Sequence, residues 1–564
     1  MPASKVVDMT LALSYIKVMA RKFPIGIQTF AEIREKGAIY VDKTDLIYKL
    51  AHDGKVYFLS RPRRFGKSLL IDTLAEYFSG NKELFTGLAI DKLETEWKKH
   101  PVLRFDFSKV KFEKVDDLTA LIDSMLAAYE NLYGIETSAD IKDKPKNSIR
   151  LNNLILAAEQ QTGQKVVFLV DEYDAPLLDT LVDNASFEKM RQTLRDFYSP
   201  LKANDAHIKF IFITGIKHIS LHVIPASERE SPFLGHIGWA GLNHLHDISM
   251  LDEYASICGI TEDEMKTQMK PEVQVFADAV EKNFEQACVA LKQKYDGYHF
   301  SPKSPDIYNP YSLLNALQDR TLKNYWFETG TPTFLVEQIR NYTIDPIAFE
   351  TGIQVTEDEF NVPAEYSNNP IPVLYQSGYL TIKGFDKSKF LPYTLAYPNE
   401  EVREGFIKGL LKNYSGQEAT AYNTVANTII DGFNSGDVDS VMDAIKAYLS
   451  DVPYDAAKRD ERFYRTLIFG VFYLATPFLV ECERKSARGR ADIIVETKTA
   501  VYAIEFKLDG SIDEAFEQID DRGYLEPYRN HRTEKCEQKM LYKVAVNIDS
   551  AKRTLGEWKV VAGC

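Results

Sequence analysis

The sequence predicts a multidomain α/β protein. A parallel sheet covered by helices on both faces is followed by a second, smaller α/β unit. Three observations carry that prediction. Residues 23–245 alternate short apolar runs with helical patterns, the form taken by strands buried on both faces. Residues 489–508 hold two apolar strands, interrupted by acids, around a short turn. The chain has 564 residues, room for roughly three or four domains at about 150 residues each.

Composition narrows the class. Apolar residues make up 45% and charged residues 27%, which excludes a disordered chain, a collagen-like fibre and a membrane-embedded protein. No run approaches the ~18 apolar residues of a membrane-crossing helix. Cys258, Cys288, Cys482, Cys536 and Cys564 form no CxxC pair, so a zinc ribbon or disulfide framework is not expected and a reducing cytoplasm is. The patch from Leu11 to Ile16 is short and precedes Lys17, Arg21 and Lys22. Residues 1–22 therefore read as an amphipathic leader rather than a signal peptide.

Charge is unevenly spread. From Asp455 to Cys564 there are 19 basic and 19 acidic residues, so the net −14 lies wholly in the rest of the chain. This sets a domain boundary near 450 and leaves the C-terminal segment best suited to approach phosphate.

The first unit, 23–245, has strands at 56–59, 102–107, 166–170 and 208–214. Residues 246–359 read as a mostly helical lid, with loops at Tyr295 to Phe300 and Tyr308 to Pro310. Residues 360–450 hold a helix, a hairpin (379–382 and 393–396) and a helical stretch. That order resembles a winged-helix unit; a small α+β connector is the plainer reading. Residues 413–450 read as helical linker, with soft spots at Ser415-Gly416 and Ser435-Gly436. Residues 451–564 form the last unit.

The first strand runs into Arg61-Pro62-Arg63-Arg64-Phe65-Gly66-Lys67-Ser68 and then a helix. Strand, loop ending in Gly-Lys-Ser and helix is the context of a phosphate-binding loop, whose amides cradle phosphate oxygens. Lys67 is expected on the β and γ phosphates and Ser68 on Mg²⁺. Arg61 replaces the first glycine of the pattern. The loop is then less tight, or Arg61, Arg63 and Arg64 add charge near the phosphates. The strand Val166 to Val170 ends in Asp171-Glu172, where Asp171 completes Mg²⁺ coordination and Glu172 polarises the attacking water. The residues between leave room for an intervening strand, 102–107, as in additional-strand ATPases. Thr214, ending the strand 208–214, is placed to sense the γ-phosphate. Together these give a P-loop NTPase sheet. Arg195 is a candidate for the γ-phosphate, though a solvated helix arginine is its simpler reading.

The second constellation is Gly489-Arg490-Ala491-Asp492, a turn, and Glu505-Phe506-Lys507. With the hairpin turn centred between Lys498 and Thr499, Asp492 faces Glu505, and Lys507 shares their face. Asp opposite Glu is a repulsive pair, which a purely structural hairpin leaves unexplained. Two carboxylates and a lysine suit metal-dependent phosphodiester hydrolysis. Asp492 and Glu505 would bind Mg²⁺, Glu461 would add a carboxylate, Lys507 would act on the water, and Gln518 would orient the nucleophile. Arg484, Lys485, Arg488 and Arg490 flank the site as phosphate contacts. A metal site at His236, His244 and His246 is a weaker expectation than scattered histidines.

Taken together, the motifs resemble a bacterial family, the AAA-ATPase-like proteins with a C-terminal PD-(D/E)XK nuclease-superfamily domain. The resemblance rests on Phe23 to Phe30, Tyr40 to Thr44, Arg61 to Ser68, Asp171 to Asp174, Tyr325 to Pro332, Gly489 to Asp492 and Glu505 to Gly510. Such proteins usually carry the Arg61 departure. Ser227 to Phe233 reads as a variable loop against the family pattern. The resemblance implies ATP binding, ATP hydrolysis and a restriction-endonuclease-like C-terminal fold. The expected cofactors are ATP and Mg²⁺, with Mn²⁺ an alternative at the second site. The expected partners are ATP and nucleic acid, DNA in the first place, with no membrane; a homo-oligomer is left open. A second class of reading is a signalling or assembly NTPase whose C-terminal domain binds nucleic acid or protein without cutting.

Overall fold

In the computed structural model the described residues are 21–136, 145–180, 184–216, 245–326, 347–362, 369–415, 420–452, 460–485 and 489–563. Most of the leader, the loop Ser227 to Phe233, His236, His244 and Arg488 lie outside them.

Backbone contacts divide the chain into two compact units. The first holds Met1–Gly330, Val355–Tyr393 and Pro398–Glu401; the second holds Thr331–Gln354, Thr394–Tyr397 and Val402–Cys564. The segment expected as a middle unit is divided between them. Helix Ile371–Gln376 and strand Thr381–Phe385 go with the first unit. Helices α5 (Asn423–Ser435) and α6 (Val438–Ser450), taken from the sequence as linker, go with the second.

The first unit is built on a five-stranded sheet of β1 (Val56–Ser60), β2 (Val102–Asp106), β3 (Val166–Asp171), β4 (Ile208–Gly215) and β5 (His246–Asp247). Its order is β2-β3-β4-β1-β5, with every pair parallel. β1 and β3 are buried at every position, which is why they read as unbroken apolar runs. In β2 only Leu103 and Phe105 are fully buried. The strand expected between β1 and β3 along the chain is β2; in the sheet β4 lies between β1 and β3, and β2 takes the outer place beyond β3. A strand buried only at alternate residues belongs at an edge. Helices α1 (Lys67–Phe78), α2 (Val115–Leu132), α3 (Asn147–Thr162) and α4 (Asn184–Ala203) belong to this unit. Phe105 meets Phe168 at 4.9 Å and Phe197 of α4 at 5.2 Å between ring centres. Each large side chain so buried contributes roughly 1.5–3 kcal/mol. Beyond the sheet come the expected helices, Glu262–Gln268, Lys270–Ala279, Phe284–Tyr295 and Pro310–Asp319, around a core of Val273, Phe276, Leu291 and Leu313.

The second unit carries a five-stranded mixed sheet of β6 (Leu479–Lys485), β7 (Arg490–Glu496), β8 (Ala500–Leu508), β9 (Met540–Asp549) and β10 (Thr554–Gly563), in sequential order. β8 and β9 are parallel; the other pairs are antiparallel. The β7–β8 hairpin pairs Ile493 with Ile504 and Ile494 with Ala503, the register expected from a turn between Lys498 and Thr499. Thr497 N–H donating to Ala500 O at 2.8 Å closes that turn. Helix α7 (Glu461–Ala475) and α5 cover one face, where the Tyr502 hydroxyl donates to Phe433 O at 2.6 Å. Helix α8 (Ile512–Asp521) covers the other, with Ile519 and Tyr524 in one core with Ile494 and Ala503. No described helix is long and apolar enough to cross a membrane.

Candidate functional sites

In the first unit the carboxyl ends of β1, β3 and β4 come together, the usual place for a ligand in an open parallel sheet. Gly66 has φ 91° and opens α1, so Lys67 and Ser68 are its first residues. A residue with a side chain is strained in that left-handed conformation. Lys67 is buried, and its Nζ donates to the carbonyls of Arg61 at 3.0 Å and Pro62 at 3.2 Å. Ser68 is half-buried. On the neighbouring strands the Thr214 hydroxyl donates to Asp171 Oδ1 at 2.8 Å, both side chains being buried. Glu172 follows with φ 49°, a conformation few non-glycine residues adopt, which turns the chain sharply at the strand end.

The arginines of the loop part company. Arg61, expected to add charge near the phosphates, turns into the protein and is 1% exposed. Its Nη1 donates to the carbonyls of Ser60 and Ser249 at 2.8 Å. Its Nη2 reaches those of Tyr254 and Ala255 at 3.3 and 3.4 Å, and the guanidinium lies 4.1 Å from the Phe300 ring centre. Burial lowers its pKa to about 10. The reason is local: an arm that must span from β1 to segment 249–255 needs length and several donors, which glycine lacks. Arg64 has φ 68° and lies over the Tyr311 ring at 4.7 Å; Arg63 is exposed. Arg195 is half-exposed on α4. His246 is exposed on β5.

Beside Gly66 lies a mostly apolar cleft lined by Tyr40, Val41, Leu69, Cys258, Gly259 and Leu314, with about 650 Å³ of empty space, part of it open to solvent. It adjoins the loop where a planar apolar base could sit. Asp174 is a residue the sequence reading did not single out. It accepts the Ile216 N–H at 3.0 Å, pinning the chain just past Thr214. Its place in Asp171-Glu172-Tyr173-Asp174 was the available signal.

In the second unit the hairpin brings Asp492, Glu505 and Lys507 together, and α8 adds Gln518. Asp492 Oδ2 accepts the Phe506 N–H at 2.9 Å. Lys507 Nζ lies 3.1 Å from Glu505 Oε1 and 2.6 Å from Gln518 Oε1. Glu505 is 1% exposed, and its Oε2 has no hydrogen-bond partner among the described residues. Burial, with Asp492 adding to it and Lys507 opposing, pushes its carboxyl up to about 8. Glu461, at the start of α7, accepts the Leu508 N–H at 3.4 Å and so stands at the end of the same strand. A buried carboxylate oxygen without a protein partner beside a second carboxylate fits a hard divalent cation. Among the described residues no three of His, Cys, Asp and Glu are placed to hold a metal. Such an ion would rest on two carboxylates, with water or phosphate oxygens completing its shell.

Three further residues complete this site. Arg465 of α7 donates to Asp492 Oδ1 at 3.1 Å and to Glu483 Oε1 at 2.6 Å. Glu483 Oε2 also lies 3.0 Å from Arg490 Nη1. The Tyr524 hydroxyl accepts from Gln518 Nε2 at 3.0 Å, which fixes the amide with its oxygen toward Lys507. Gly523, with φ 57°, turns the chain so that Tyr524 returns beside α8. The side chains of Arg484 and Lys485, like all of Arg488, lie outside the described residues.

A family model described as predicted AAA-ATPase matches residues 24–224, and one described as the PD-(D/E)XK nuclease superfamily matches residues 459–558. A protein of Azotobacter chroococcum mcd 1, "Uncharacterized protein in vnfD 5'region", is 34% identical over 518 residues, covering 90% of this chain and 94% of that protein.

Proposed function

Because this chain belongs to the bacterial family of AAA-ATPase-like proteins with a C-terminal PD-(D/E)XK nuclease-superfamily domain, we propose that it binds and hydrolyses ATP and cleaves nucleic acid, DNA in the first place, in a metal-dependent reaction. The observation that carries the nuclease half is Glu505. Its Oε2 is buried without a hydrogen-bond partner among the described residues, Asp492 is close enough to help raise its pKa, and Lys507 lies on its other oxygen.

At the nuclease site Asp492 and Glu505 would hold Mg²⁺ or Mn²⁺, with Glu461 nearby. Such an ion supplies charge neutralisation at the phosphate and acidifies bound water. Lys507, held by Gln518 and Glu505, would act on the attacking water. Gln518 in turn is oriented by Tyr524. Arg490, 60% exposed in its side chain, is available to a phosphate of the strand.

At the nucleotide site the Gly66–Ser68 turn would bind the phosphates, with Lys67 exchanging its two carbonyl partners for β and γ oxygens. Ser68 and Asp171 would hold the nucleotide's Mg²⁺. Thr214 keeps Asp171 in place. Glu172 would orient the attacking water. The cleft along Tyr40 and Leu69 would take the base.

One observation favours a non-cleaving, protein-binding role instead. Helix α8 beside the site carries Asp513, Glu514, Glu517, Asp520 and Asp521 and would repel a polyanion on that flank. The deciding experiment incubates the full chain with plasmid and single-stranded DNA, with Mg²⁺ or Mn²⁺, with and without ATP. Asp492→Asn and Glu505→Gln serve as controls. Cleavage by wild type that both variants lose supports the proposal; equal cleavage by all three, or none by wild type, overturns the nuclease half.

A further inference from the structure

Arg465 stands in an unusual position for a cation, in contact with a carboxylate that the proposed reading gives to a divalent metal. It comes from α7 and is 7% exposed; Asp492 is 8% exposed. Its Nη1 is shared between Asp492 Oδ1 at 3.1 Å and Glu483 Oε1 at 2.6 Å. Asp492 does not need Arg465 for its orientation, because Oδ2 is already fixed by the Phe506 N–H. Glu483 has φ 52° inside a strand, a conformation sparsely populated for a residue with a side chain. That backbone sets its carboxylate between two arginines, Oε1 on Arg465 and Oε2 on Arg490.

Resting on the proposed nuclease reading, we infer that Arg465 is the built-in counter-ion of the metal site: it neutralises Asp492 until a divalent cation arrives, and the cation displaces it onto Glu483. Two like charges cannot share one carboxylate at contact distance in a buried site without strong repulsion. Glu483 makes the displacement possible, since Arg465 already contacts it at the shorter of its two distances and stays paired with it on leaving Asp492. Arg465 is thus a positioning residue that acts through Asp492. Its presence keeps two buried carboxylates and Glu483 from repelling one another in the metal-free protein, and weakens metal binding as a consequence.

The test uses the full chain without nucleic acid or nucleotide. Binding of MnCl₂ and of MgCl₂ is followed by calorimetry, and melting temperature is recorded with and without metal. Arg465→Met should bind Mn²⁺ about tenfold more tightly than wild type, melt lower without metal, and gain more on metal addition. Glu483→Gln should move affinity the opposite way, because Arg465 then rests on Asp492 alone. Arg465→Lys, which keeps the charge, should stay near wild type, and it carries the comparison with Glu483→Gln if the methionine variant does not fold. Unchanged or weaker metal binding in Arg465→Met, or tighter binding in Glu483→Gln, overturns the inference. The Glu505→Gln variant separates the two failures. Wild-type metal binding that Glu505→Gln abolishes, with no gain in Arg465→Met, sinks this inference alone. No metal binding by wild type, or equal binding by wild type and Glu505→Gln, sinks the metal site and the inference together.

Discussion

Asp492 on β7 accepts the main-chain N–H of Phe506 on β8, at 2.9 Å. The acid is thereby bonded to the backbone between Glu505 and Lys507, so all three functional groups share one anchor. Asp492→Asn keeps an oxygen for that bond, whereas Asp492→Ala leaves a buried N–H unsatisfied, a loss of about 1–3 kcal/mol. The alanine variant should therefore melt several degrees below the asparagine variant. Equal melting temperatures by scanning calorimetry would remove the anchor from the account.

Glu505 gives the site a pH signature. Its carboxyl is pushed up to about 8, chiefly by burial, then by Asp492. Between the ordinary carboxylate range and about 8 the folded chain holds a proton that the unfolded chain releases. That contribution to stability is present at low pH and lost as pH rises through 8. The melting temperature of wild type relative to Glu505→Gln, without metal, should fall steadily between about pH 5 and pH 8. A flat difference would contradict the raised value.

At the nucleotide site Lys67→Ala should weaken ATP binding by ~10- to 100-fold, the range expected for one charge-assisted contact. Glu172→Gln should leave ATP affinity near wild type and stop turnover, since it acts on the water rather than on the nucleotide. Titration with a fluorescent ATP analogue, beside a phosphate-release assay, reads both. Equal ATP affinity for Lys67→Ala and wild type would refute the phosphate-loop reading.

Arg61→Gly restores the glycine of the usual phosphate loop and should nevertheless damage the protein. It strips donors from the carbonyls of Ser249, Tyr254 and Ala255 and opens a void against Phe300. A loss of roughly 2–4 kcal/mol is expected. Thermal melting should drop by about 5–10 °C. Unchanged melting would mean the buried guanidinium is dispensable.

The hairpin register was legible because alternation along 490–496 and 500–508 fixes which residues share a face, and a one-residue slip would reverse it. The P-loop sheet was legible from its buried strands and the motifs at their ends. The inward turn of Arg61 was not, because its acceptors lie some 190 residues further along the chain. The order of strands in the sheet was not legible for a similar reason: position along the chain says nothing of lateral position in a sheet. Arg465 and Glu483 escaped notice because helix α7 and strand β6 must pack before their charges meet. Helices α5 and α6 read as linker because their partners, such as Tyr502 and Trp558, come far later.

Lys67 is already ordered. Its ammonium rests on the carbonyls of Arg61 and Pro62, inside a loop whose first residue is held by four carbonyl contacts. A free lysine side chain carries about 2 kcal/mol of rotamer entropy. Here that entropy is lost when the chain folds, not when nucleotide arrives. Binding then exchanges two neutral acceptors for charged ones on a preorganised arm, so its calorimetric signature should be dominated by enthalpy, with little ordering of the loop to oppose it.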